Sequence, residues 1–259
     1  MSALYAILAS LIVTSISILA IIPLMLKKKI SDRLLLFLLS VSVGALLSVV
    51  FMDFLPEASS HGYTLGLALS IIGGFVFMLV VEKFIHHEHD THNHSKKTKH
   101  GVHSHAYALA PINLVGEAIH NFIDGLVIAG AFAINISLGI TATISIMLHE
   151  IPQEIADFGI LLYSGLSRKK AVIFNLLSGA SALIGTIVGI LLAGKLSWFT
   201  SFIIPFAAGN FLYIAASNLV PQLHRNCDPM DSLMHITAIG LGVGIIVLLV
   251  LYGPAHVHA

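Results

Sequence analysis

Residues 116–125 read GEAIHNFIDG, which puts two carboxylates, a histidine and an asparagine inside a run otherwise apolar enough to cross a bilayer. Glu117, His120, Asn121 and Asp124 fall at i, i+3, i+4 and i+7, so a helix carries all four on one stripe. A charged side chain at the bilayer centre costs ~2.5 to 3.5 kcal/mol on the insertion scale. Such a stripe faces protein or water, and the fold has to enclose it.

The surrounding sequence sets the solvent. Of 259 residues, 57% are hydrophobic and 10% charged, unlike a soluble domain. Eight apolar runs, roughly 4–26, 34–55, 64–85, 107–134, 138–163, 171–193, 198–221 and 234–252, are long enough to cross ~30 Å of hydrocarbon. The expected fold is an all-α membrane protein of eight transmembrane helices, one domain over 1–259. The first run has no basic stretch before it and no small-residue cleavage site after it, which reads as a retained span. A formal net charge of zero gives no basis for a nucleic-acid partner, and the implied partner is the lipid bilayer. The single cysteine, Cys227, excludes an intramolecular disulfide and a Cys-based metal cluster within one chain.

Orientation follows from lysine and arginine. The connections after spans one, three, five and seven hold 12 of the 13 basic residues, and only Lys195 falls on the opposite side. By the positive-inside rule these connections face the cytoplasm and both termini lie outside, which requires an even number of spans. Residues 86–105, HHEHDTHNHSKKTKHGVHSH, hold eight of the fifteen histidines: His86, His87, His89, His92, His94, His100, His103 and His105. Lacking apolar periodicity, 86–106 is expected to be a disordered His-rich cytoplasmic loop, either a solvated linker or a loose collector of metal ions. His256 and His258 at the tail repeat that signal weakly.

Span five holds a second polar set in HEIPQEIAD: His149, Gln153 and Asp157 step by four, with Glu150 and Glu154 on the adjoining row. Pro152 leaves the carbonyl one turn back without its usual donor. HNFID and HEIPQ share an order: His first, a polar residue next, and a third polar residue four positions from the His. The short connection at 135–137 makes spans four and five antiparallel neighbours. At helical rise both motif centres lie roughly 21 to 23 Å from that turn, at one depth.

The five carboxylates Glu117, Asp124, Glu150, Glu154 and Asp157 together cost of order 15 kcal/mol, and no lysine or arginine lies in either span to neutralise them. A divalent cation or protons must do so. Carboxylate with imidazole suits zinc, iron(II), manganese or cobalt, whereas calcium and magnesium favour oxygen alone. Because a protonated imidazole cannot bind a cation, a function resting on these histidines falls as they titrate. The bland reading is a hydrogen-bonded seam that glues helices. A catalytic reading also exists, an intramembrane zinc metalloprotease using His149 and Glu150, since His149-Glu150 begins like the HExxH helix; Gln153 stands where its second His belongs.

HNFIDG in span four, HEIPQE in span five, FAAGNFLYIAASNLVPQL in span seven and, more weakly, MDFLPEA at the end of span two are similar to motifs of one family. Together with the His-rich tract, the chain resembles the ZIP (Zrt/Irt-like) divalent metal transporters across all eight spans. The resemblance implies a metal path between helices four and five, transport of zinc or a related ion toward the cytoplasm, no enzymatic activity and no resident cofactor. It also implies a cell-membrane location, with a homodimer as the assembly to test. By motif position the central site takes His120 and Asp124 with His149 and Gln153. Asn121 and Glu150 serve a neighbouring position. Apart from the resemblance, the expected route runs from outside past Asp53 and Glu57 and out past Glu117, Glu154 or Asp157. Zinc-selective relatives often read HEIPHE, so Gln153 exchanges an imidazole for a neutral amide. Some bacterial relatives place a glutamate in span six, where this chain reads NLLSGASALIG, so one principal site is expected.

Overall fold

The computed structural model describes residues 1–26, 31–60, 62–94, 103–163, 166–196, 198–223 and 229–252. Every regular element among them is helical: α1 (Ser2–Met25), α2 (Asp32–Val49), α3 (Leu55–Ala58), α4 (Leu65–His94), α5 (His103–Ile134), α6 (Ile136–Tyr163), α7 (Arg168–Gly179), α8 (Ser181–Lys195), α9 (Trp198–Tyr213), α10 (Val220–Leu223) and α11 (Pro229–Tyr252). Serines start two of them. Ser31 Oγ accepts from Leu34 N at 3.2 Å and Ser167 Oγ from Lys170 N at 3.4 Å. Two spans widen into π-helical turns, Val50–Phe54 between α2 and α3 and Ile214–Leu219 between α9 and α10. Each wide turn stands just before a proline, Pro56 or Pro221, whose missing N–H leaves the carbonyl four residues back inside the widened segment.

Seven stretches of described helix are long and apolar enough to cross a membrane: α1, α2 through α3, α4, α5, α7 with α8, α9 through α10, and α11. The chain is a multi-pass membrane protein. The expected eighth run, α6, is 28 residues long, but His149, Glu150, Gln153, Glu154 and Asp157 thin its hydrophobicity and it is not among the seven. Burial separates an inner from an outer set. The apolar stretches of α5 and α9 are 67% buried, whereas those of α4 and α11 are 17% and 22% buried. The α5–α6 pair is central: α5 packs on α8, α6 and α1, while α6 also packs on α1 and α2.

Three helix pairs close at reciprocal glycines. A β-carbon at Gly44 would fall on the Ile239 carbonyl, and one at Gly242 on the Val41 carbonyl, which locks α2 to α11. Gly74 and Gly209 meet the Phe206 and Ile71 carbonyls between α4 and α9, and Gly125 and Gly185 meet those of Ala182 and Phe122 between α5 and α8. The pair Gly240/Gly244, which sequence spacing suggests for close contact, faces open space; Gly242 between them makes the contact because it points at α2.

Ion and hydrogen-bond contacts gather the basic connections at one end. Arg33 Nη2 lies 3.1 Å from Asp231 Oδ1, and Arg168 Nη1 donates to the Met25 carbonyl at 3.1 Å. The end of α1 and the starts of α2, α7 and α11 therefore share a face. The His-rich segment is less loop-like than its composition suggests. α4 runs on through His94 and α5 begins at His103, because the sequence from 85 to 94 has neither glycine nor proline to break the helix. Positions 95–102 lie outside the described residues, as do the side chains of all eight tract histidines and His256 and His258.

Candidate metal centre

A single residue, Asn135, joins α5 to α6. Its Oδ1 accepts from Leu138 N at 2.7 Å and caps the new helix. The tight turn forces the helices antiparallel and holds the two polar stripes at one depth. Glu117, His120, Asn121, Asp124, His149, Glu150, Glu154 and Asp157 are all buried.

Four ligand atoms converge: His120 Nε2, His149 Nε2, Asp124 Oδ2 and one oxygen of Glu150. His120 Nε2 lies 3.3 Å from His149 Nε2, 3.6 Å from Asp124 Oδ2 and 3.2 Å from Glu150 Oε1. His149 Nε2 lies 3.1 Å from Asp124 Oδ2 and 3.6 Å from Glu150 Oε1. Four atoms bound tetrahedrally to one zinc at about 2.0 to 2.1 Å stand about 3.3 to 3.4 Å from each other, so these separations suit one shared ion.

Proton counting points the same way. His149 Nδ1 lies 3.0 Å from the Ser145 carbonyl, which can only accept, so Nδ1 carries a proton and Nε2 is the ring atom turned into the cluster. The two Glu150 oxygens are buried and receive no hydrogen bond, although Oε1 is close to His120. Imidazole nitrogens of His120 and His149 and carboxylate oxygens of Asp124 and Glu150 thus face one another with no lysine or arginine between them. A cation or protons must balance the carboxylates there.

A second set lies one helical turn toward the basic end. One carboxylate oxygen each from Glu117, Glu150 and Glu154 come within 4.8 Å of one another, and Glu150 belongs to both sets. Gln153 reaches this set: its Nε2 donates to Glu117 Oε2 at 2.9 Å, while Asn121 Nδ2 donates to Glu117 Oε1 at 3.0 Å. Gln153 is one turn beyond His149, and Glu117 nearly one turn before His120 on the antiparallel helix, so the two meet at equal depth. Glu150 brings a carboxylate oxygen to the first set, beside His120, Asp124 and His149. A second carboxylate group therefore forms without any glutamate in span six.

Two residues escaped the sequence reading. Ser42 Oγ on α2 lies 2.6 Å from the Leu148 carbonyl, the one that Pro152 deprives of its helical donor. A hydroxyl of a neighbouring helix thus reaches the freed oxygen. Asn175 on α7 donates through Nδ2 to Glu154 Oε2. Ser42 had no signal in an apolar run, and Asn175 was visible only as a lone amide in NLLSGASALIG.

The family model described as ZIP Zinc transporter matches residues 2–109 and 86–250, nearly the whole chain. The chain belongs to the ZIP zinc transporter family. Among its relatives, "Zinc transporter SLC39A7" of Canis lupus familiaris is 28% identical, over 83% of this chain and 64% of its own length. "Zinc transporter ZIP13" of Danio rerio is 30% identical, over 82% of this chain and 75% of its own length. "Zinc transporter ZIP10" of Danio rerio is 33% identical over 56% of this chain and 18% of its own length. The chain spans less than two thirds of the length of the SLC39A7 relative from dog. The resemblance read from HNFIDG, HEIPQE and the span-seven motif is thus met by ZIP family membership.

Proposed function

We propose that this ZIP family chain carries divalent transition-metal cations, zinc first among them, across its membrane toward the cytoplasm. The observation that carries the reading is the set of four buried donor atoms at tetrahedral spacing, on two helices without a lysine or arginine. The ion enters past Asp53 and Glu57, is held by His120, Asp124, His149 and Glu150, and passes inward through Glu150 to Glu117 and Glu154, where Gln153 and Asn121 steady Glu117. A carboxylate common to both sets lets one ligand change partner while the ion moves, so it is never fully stripped. Mixed His, Asp and Glu ligation also binds less irrevocably than a closed thiolate cage.

The finer architecture belongs to the same proposal: α6 as the eighth span, both ends of the chain outside, the path between α5 and α6, a cell-membrane location and a homodimer. Supporting the orientation is the clustering of basic connections on one face. The metalloprotease alternative loses its footing, since position 153 is a glutamine engaged with Glu117. Purified protein in liposomes loaded with a zinc dye tests the proposal. Wild type accumulates Zn²⁺ and Asp124→Ala does not; equal uptake by both would remove the site from the pathway.

A further inference from the structure

Glu154 has a neighbour beyond the two clusters. Asn175 of α7 is 3% exposed, and its Nδ2 donates to Glu154 Oε2. Its Oδ1 is buried and has no hydrogen-bond partner. An orphaned amide oxygen in this setting is destabilising, and a ligand for that oxygen would recover the loss. Beside the pair opens a small cavity lined by Thr14, Ile18, Glu154, Asn175 and Gly179, with about 10 Å³ of free space, enough for roughly one water or bare ion. Gly179 leaves this room: a β-carbon there would come to 3.4 Å from Glu154 Oε1. Ile21, toward the end of α1, lines the same cavity.

Resting on the transport reading above, we propose that Asn175 Oδ1 and the Glu154 carboxylate form a further station for the cation, between α1, α6 and α7. The ion leaves Glu150 for Glu154 and is then met by a neutral oxygen, which holds it more weakly than another carboxylate would. Weak ligation at this point favours release over return. Neither group is among the four donors of the first set, so the station can be altered while that set stays whole.

A thiol placed at the station reports whether the ion visits it. In a Cys227→Ser background, Asn175→Cys is reconstituted and titrated with Cd²⁺, and the cadmium–thiolate charge-transfer band is read in the ultraviolet. The band is expected for Asn175→Cys and is expected to vanish when Glu154→Gln is added. No band there, while Asp124→Cys in the same background shows one, overturns the station and leaves the transport reading standing. Absence of both bands together with absent Zn²⁺ uptake by wild type overturns the transport reading itself. Should Asn175→Cys fail to elute as folded protein, the near-isosteric Asn175→Asp decides: tighter equilibrium Cd²⁺ binding with turnover reduced about tenfold is expected. Binding and turnover both unchanged in that variant overturn the station.

Discussion

Two kinds of helix contact hold this bundle, and they differ in what they tolerate. The α2–α11, α4–α9 and α5–α8 pairs meet through glycines laid against carbonyls of the partner helix. The α5–α6 pair meets through imidazoles and carboxylates whose lone pairs oppose each other. Dispersion and close backbone approach stabilise the first kind in lipid and leave no room for change. If the proposed transport reading holds, the second kind is held together by the cation between the helices, and its stability then depends on the occupant. One class of contact is scaffold, and the other is a seat.

The largest effect is expected from breaking the scaffold. Gly185→Leu drives a side chain into the Phe122 carbonyl and costs more than the ~1 to 3 kcal/mol of ordinary overpacking, so little monodisperse protein should survive size-exclusion in detergent. Asp124→Ala should do the opposite, eliminating Zn²⁺ uptake while the protein elutes as wild type, because removing a buried carboxylate lightens the desolvation load. A variant that also failed to fold would make the α5–α6 seam structural. Ser42→Ala should lower thermal stability by about 1 to 3 kcal/mol, since it strands the Leu148 carbonyl in the bundle, and uptake per folded molecule should be nearly kept. Gly240→Ala should change melting by less than ~0.5 kcal/mol, its β-carbon pointing into open space.

The legible parts were those with a period. Hydropathy marked the spans, and the i, i+3, i+4, i+7 spacing of Glu117, His120, Asn121 and Asp124 located the buried stripe on α5. What depends on the rotation of one helix against another was not legible. Gly242, and not Gly240 or Gly244, touches α2, since nothing in the sequence of α11 states where α2 lies. The contact of Gln153 with Glu117 is of the same kind, since it depends on how α6 is turned against α5. Asn175 lies in a helix without any polar rhythm and matters only through its contact with Glu154. The extension of α4 to His94 was hidden by composition, which registers the polarity of the tract but not its lack of breakers.

The turn at Asn135 has a consequence for how the chain tolerates change. With α5 ending at Ile134 and α6 starting at Ile136, the facing of His120 and His149 is a matter of counting residues. One residue inserted into that turn would rotate α6 by about 100° and slide it about 1.5 Å, carrying all its acidic side chains out of line with α5 at once. Loop length, elsewhere the freest variable of a membrane protein, is here as constrained as any ligand.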